Sequence, residues 1–154
     1  MKKSKLLSFL ALATLASGSL LAPPPSNGQS PASDKTIQVL VQGGVIRVPD
    51  DPARVLASNG VVKWVFGTGT SGYVFPNNGI TFEYPPPTPL PAGCASAPDP
   101  AKVFHGCGPR LNGSTFQCSR GGHAVGACFK YSVKLQPLPG SPSVPDKDPW
   151  IMNE

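Results

Sequence analysis

Catalytic side chains are scarce in this chain. It holds two histidines, His105 and His123, and eight acidic residues. It has no Gly-x-Ser-x-Gly elbow, so a Ser-His-Asp hydrolase would lack the strained turn that exposes its nucleophile. The acids are scattered, with Asp50 and Asp51 adjacent in a turn, and they form no recognisable pair for glycoside cleavage. Cys-x-x-Cys is absent, which removes the usual dithiol redox motif. The expectation is therefore a protein with no catalytic residues, not an enzyme. No amphipathic helix of useful length follows the N-terminal region, and no apolar run reaches the roughly 20 residues that span a bilayer.

The N-terminal region does carry a shorter apolar run. Lys2, Lys3 and Lys5 precede Leu6–Leu15, which is interrupted only by Ser8 and Thr14. A positive start followed by a short apolar stretch reads as an export signal over residues 1–22. Small residues at Ala16–Ser19 and at Ser26-Asn27-Gly28 offer cleavage points. Residues 23–34, with Pro23, Pro24, Pro25 and Pro31 among Ser, Asn, Gly and Gln, read as a flexible Pro-rich leader, and residues 35–154 as one domain.

Losing the three signal lysines takes the formal charge from +5 to +2. A nearly neutral chain with scattered basic residues lacks the concentrated Lys/Arg face that phosphate backbones require, so no nucleic-acid partner is expected. The expected product is a periplasmic or secreted monomer with no stable membrane insertion after signal cleavage. Its partner would be a protein or surface whose identity the sequence leaves open.

All four cysteines, Cys94, Cys107, Cys118 and Cys128, lie beyond the signal. An even count in an exported chain argues for two disulfides. Of three possible pairings, Cys94–Cys107 with Cys118–Cys128 closes the shortest loops. Each such loop contributes about 3 kcal/mol in the chain-entropy account.

Alternation then reads as strands. Ile37, Val39 and Val41 share one face of Thr36–Val41, and Val45–Pro49 follows the Gly43-Gly44 turn. Asp50–Leu56 reads as a turn or a single helical turn. Val61–Phe66 places Val62, Trp64 and Phe66 together, with Trp64 the candidate for the centre of the core. Tyr73–Pro76 and Gly79–Tyr84 read as short strands around Asn77-Asn78-Gly79. Pro85–Pro100 carries seven prolines and reads as a stiffened surface loop, which either serves structure alone or docks in an aromatic groove of a partner.

Lys102–His105 reads as a short strand. Phe116–Leu135 then reads as a hairpin, with Phe129, Tyr131, Val133 and Leu135 facing one way in its second strand. Trp150 and Ile151 in the last stretch suggest docking of that segment onto the domain. About seven short strands separated by turn residues make an all-β sandwich.

The strand order, the Val62-Lys63-Trp64-Val65-Phe66 strand and the Cys118-x4-His123 pair resemble the cupredoxin family, over roughly Thr36–Leu135. The chain is also similar to a set of bacterial exported proteins of uncharacterised type. Those share a Gly-Tyr-x-Phe-Pro-x-Asn-Gly-Ile segment, here Gly72–Ile80, a Lys-Tyr-x-Val strand at Lys130–Val133 and an Asp-Pro-x-Ile-x-Asn stretch at Asp148–Asn153. The cupredoxin resemblance implies a Greek-key sandwich with a metal at one end of the hairpin. Its copper sits between two His and one Cys with a weak axial Met, because a soft thiolate and imidazoles suit both copper oxidation states.

Cys118 and His123 fall at the family's Cys and second His. The axial Met would stand near Ala127 and Cys128, and the first His within Gly67–Gly72, where neither occurs. A rearranged copper site would draw on His105, Cys118, His123 and Met152, leaving Cys128 as an odd thiol. Three functions follow: a binding or structural module with two disulfides and no cofactor, a copper-binding electron carrier or copper chaperone, and an inhibitor or adhesion module presenting the Pro-rich loop.

Overall fold

Two sheets of alternating strands meet across an aromatic core. The computed structural model describes residues 34–154, apart from residues 57, 123 and 124. The expected signal peptide, nearly all of the leader and His123 lie outside the described residues. Strand β1 (Lys35–Gln42) turns through Gly43 and Gly44, at φ +61° and +76°, into β2 (Val45–Arg47), which pairs with it antiparallel. Glycine adopts that left-handed backbone at no steric cost, so the turn follows directly from the sequence. The chain then crosses to the other sheet and forms β3 (Ala53–Val55).

The third strand replaces the turn expected over Asp50–Leu56. Ala53 and Val55 are buried and Arg54 exposed, the alternation of a half-buried strand. Its partner, β12 (Trp150–Asn153), lies almost a hundred residues later and pairs with it in parallel, so no local pattern announced it. Strand β4 (Gly60–Phe66) returns to sheet one beside β1, again in parallel, with Trp64 opposite Ile37.

The remaining elements range from two to seven residues. They comprise β5 (Tyr73–Val74), β6 (Ile80–Phe82) and β7 (Ala95–Ser96), then a 3-10 turn at Pro100–Lys102 and β8 (Phe104–Arg110). After these come β9 (Thr115–Arg120), β10 (Ala127–Val133) and β11 (Gln136–Pro137). The short strand expected at Lys102–His105 is thus a 3-10 turn followed by a longer strand. Asp99 Oδ1 accepts from Ala101 N at 2.9 Å and caps that turn.

Sheet one runs β2-β1-β4-β9-β8 and sheet two β3-β12-β10-β6, with β7 beside β10, while β5 and β11 form a separate pair. The fold is all-β and sandwich-like, with more and shorter strands than the seven expected.

The stretch expected as a hairpin, Phe116–Leu135, is an arch. Its first strand, β9, is bonded to β4 and β8 in sheet one, and its second, β10, to β12 and β6 in sheet two. Each strand satisfies its backbone groups in its own sheet, so the connection steps across the core instead of folding back in plane. Phe116, Cys118 and Arg120 face inward from β9; Phe129, Tyr131 and Val133 are buried on β10, followed by buried Leu135.

Trp64 is fully buried and meets Phe116, Tyr131 and Phe82 edge-on, with ring centroids 6.1, 5.6 and 6.5 Å away. It joins the two sheets, as its place on a middle strand led one to expect. Edge-to-face pairs of this kind add about 0.5–1.5 kcal/mol each beyond the area they bury. Phe82 stacks on Phe104 at 4.2 Å and Phe66 on Phe75 at 4.6 Å, extending the aromatic layer towards both ends.

Candidate functional site

The four cysteines are all oxidised, and their pairing departs from the shortest-loop expectation. Cys94 bonds Cys128, with Cα atoms 5.4 Å apart, and Cys107 bonds Cys118, with Cα atoms 4.1 Å apart. The arch explains the difference, since Cys118 and Cys128 sit on opposite sheets. Cys107 reaches Cys118 because β8 and β9 shift register between His105 and Gly108, so that Gly106 and Cys107 stand opposite Cys118. Two residues facing one is a β-bulge, which bends the strand and re-aims its side chains.

Cys128 faces outward from sheet two. Residues directly opposite one another on paired strands share a face, and Cys128 pairs with Met152, then Lys130 with Trp150. Both Cys128 and Met152 are nonetheless buried. The end of the Pro-rich loop covers them: Cys94 is bonded to Cys128, and a Cβ placed on Gly93 would stand 3.8 Å from the Met152 methyl carbon. Beside this covered strip Lys130 Nζ lies 5.2 Å from the centroid of the Trp150 ring and donates to the Asp148 carbonyl. The last strand therefore docks as expected.

The residues named for a rearranged copper site stand on three different faces. His105 pairs with Ser119 and is exposed on the outer face of sheet one. Cys118 points into the core with its sulfur bonded to Cys107, and Met152 lies on the outer face of sheet two. Packed sheets stand about 10 Å apart, so these three cannot share one ion whose bonds are about 2 Å long. Strands β10 and β12, antiparallel neighbours in sheet two, are connected by residues 134–149, which include Gln136–Pro137 of the small separate pair and contain no Cys, His or Met. The residues present thus do not fit the copper centre that the resemblance implies. No group of three or more His, Cys, Asp and Glu is placed to hold a metal among the described residues.

A depression of about 390 Å³ is lined by Lys35, Pro49, Asp50, Asp51, Pro52 and Arg54. Its charges are matched: Lys35 pairs with Asp50 at 3.2 Å, Asp51 with Lys147 at 3.8 Å, and Arg54 with Glu154. Asp51 Oδ1 also accepts from Trp150 N at 3.0 Å, fixing the start of β12. Paired, solvated charges of this kind hold the surface together weakly.

The Pro-rich loop presents a second surface. Tyr84 is 56% exposed, and Pro85, Pro87, Thr88 and Pro89 are exposed beside it. The loop follows the edge strand β6 and is tied to β10 at its far end through Cys94.

One feature escaped the sequence reading entirely. Arg120 is 2% exposed at the end of β9, where alternation made it just another position of a strand. Burial lowers its pKa from the ordinary arginine value. Its Nη2 donates to the Leu56 carbonyl, and its Nε and Nη1 have no partner.

No family model, curated protein or solved structure matches the chain.

Proposed function

We propose that the chain is an exported, non-enzymatic binding or structural module with a cupredoxin-like Greek-key topology and no copper centre. One observation carries the reading. All four cysteines are committed to two disulfides, and the bond to Cys107 removes the thiolate that a copper site would need at Cys118. The parallel β1–β4 and β3–β12 pairs, each completed across the sandwich, support the Greek-key assignment. Two disulfides support an oxidising compartment, periplasmic or extracellular, and no described helix is long and apolar enough to cross a membrane.

The test is a thiol count beside an absorption spectrum. Alkylation and mass spectrometry of native material should find no free thiol, and added Cu(II) should give no intense thiolate-to-copper band. A blue protein would overturn the reading.

Exposure of Tyr84 and the neighbouring prolines, on a loop held at both ends, favours a second reading in which this loop is the surface presented to a protein partner. A pre-stiffened proline segment loses little chain entropy on docking. Deleting Pro86–Pro91 should abolish partner capture with the melting temperature nearly unchanged. Capture that survives the deletion would exclude the loop.

A further inference from the structure

Buried polar atoms without partners gather at one end of the sandwich. Among the described residues seven such side-chain atoms occur; two, Trp64 Nε1 and Tyr131 Oη, lie in the central aromatic layer. The other five are Arg120 Nε and Nη1, Asn153 Nδ2 and Oδ1, and Ser58 Oγ. Strand pairing brings their carriers to the same end. Asn153 stands opposite Val55 on β3, the next residue, Leu56, accepts from Arg120 Nη2, and Ser58 follows two positions later. The connections after β3 and after β9 are joined there by Gly122 N donating to Asn59 Oδ1 at 2.6 Å.

Arg120 is the unusual member. A guanidinium stays protonated under all ordinary conditions, and a charge held away from water is strongly disfavoured unless an opposite charge or a full set of hydrogen bonds accompanies it. None of the ion pairs among the described residues includes Arg120, and a single carbonyl accepts from it. Asn153, 1% exposed, adds an amide with neither atom bonded.

We propose that Arg120, with Asn153 and Ser58, forms a binding site for a small oxyanion, phosphate- or carboxylate-like. The planar guanidinium matches the oxygens of such an anion, and the anion supplies the charge the interior lacks. Asn153 Nδ2 and Ser58 Oγ are further donors, and Asn153 Oδ1 accepts from a protonated oxygen. Such a ligand binds the native chain only, so it raises stability with concentration and saturates.

The test uses the disulfide-intact chain labelled with 15N, titrated in parallel with inorganic phosphate, sulfate and acetate, with chloride as the control at matched ionic strength. The Arg120 Nε–H signal and the melting temperature are read together. The site predicts a saturable displacement of that signal and a rise in melting temperature with at least one oxyanion, and neither with chloride. Response to acetate alone assigns a carboxylate ligand; response to phosphate and sulfate alone assigns a tetrahedral anion.

Arg120→Met should fold without its orphaned charge and lose the anion-dependent rise. If that variant does not fold, the wild-type Nε–H titration decides by itself. An Nε–H signal unmoved by all three oxyanions, or a melting response that persists in Arg120→Met, overturns the proposal.

Discussion

Cys94 and Cys128 are bonded across the outer face of sheet two, 34 residues apart in sequence, while Cys118 faces the core from the other sheet. The longer of the two closed loops restricts the unfolded chain more. By the chain-entropy relation, losing this bond costs about 4 kcal/mol, against about 3 kcal/mol for Cys107–Cys118, whose cysteines are 11 apart. Urea denaturation of Cys94→Ala/Cys128→Ala and Cys107→Ala/Cys118→Ala should rank them in that order. Non-reducing peptide mapping should recover Cys94 with Cys128, and a Cys118–Cys128 peptide would refute the arch.

Tyr131 gives the chain an alkaline limit. Burial chiefly, with the negative charges of Asp51 and Asp50 adding to it, pushes its pKa well above the ordinary tyrosine value. In the unfolded chain the group titrates near 10, so above that pH the unfolded state releases a proton that the native state keeps. Stability contributed by the neutral hydroxyl is complete below about pH 10 and falls as the pH rises further. Tyr131 Oη faces the Trp64 side chain without a partner in hydrogen-bonding geometry. Tyr131→Phe should therefore change stability at pH 7 by less than about 1 kcal/mol and flatten the decline above pH 10. An identical decline in the variant would assign it to other groups.

Two glycines at similar backbone angles should differ sharply on substitution. Gly69 has φ +85° and open space around it, whereas at Gly113, φ +81°, a Cβ would meet Val74 Cβ at 2.9 Å and the Phe75 carbonyl oxygen at 3.1 Å. Gly69→Ala should cost about 1 kcal/mol for the left-handed backbone alone. Gly113→Ala adds an overpacking cost of about 1–3 kcal/mol, because the contacts are with β5 and the Phe75 backbone and not a flexible side-chain tip. Melting curves of the two variants measure the difference, and equal losses would show that β5 yields.

Thr70, 3% exposed, ties the loop that leaves β4 to the end of β1. Its Oγ1 accepts from Val41 N at 3.2 Å and donates to the Val39 carbonyl at 3.4 Å. Thr70→Val keeps the shape and orphans the Val41 N–H, for an expected loss of about 1–3 kcal/mol, and Thr70→Ser should recover most of it. Denaturant midpoints of the pair separate the hydrogen bonds from the packing.

Much of the architecture was legible where the cause was local. The Gly43-Gly44 turn, the alternation around Trp64 and the inward row Phe129, Tyr131, Val133, Leu135 all depend on near neighbours, and each is found. Strand β3 looks like a turn in sequence because Asp50-Asp51-Pro52 resembles one, and its partner at Trp150–Asn153 is too remote to leave a local mark. The arch is hidden in the sequence for a related reason. A strand, a glycine-bearing connection and another strand look alike whether the second pairs with the first or crosses to the facing sheet. That ambiguity carries over to the cysteines, since closeness in sequence is not closeness in space. Arg120 left no trace because charge on a strand normally marks the solvent face, and only the packing shows that this one points inward.

Strand β12 lies between β3 and β10, joined to one in parallel and to the other antiparallel. Asp51 and Trp150, bonded at its start, are 99 residues apart. Sheet two consequently cannot close while the chain is still being delivered: until Trp150–Asn153 emerges, β3 and β10 each present an unpaired edge, and the sandwich stands open along its middle. Contacts this distant slow folding, and exposed edges invite pairing with other chains.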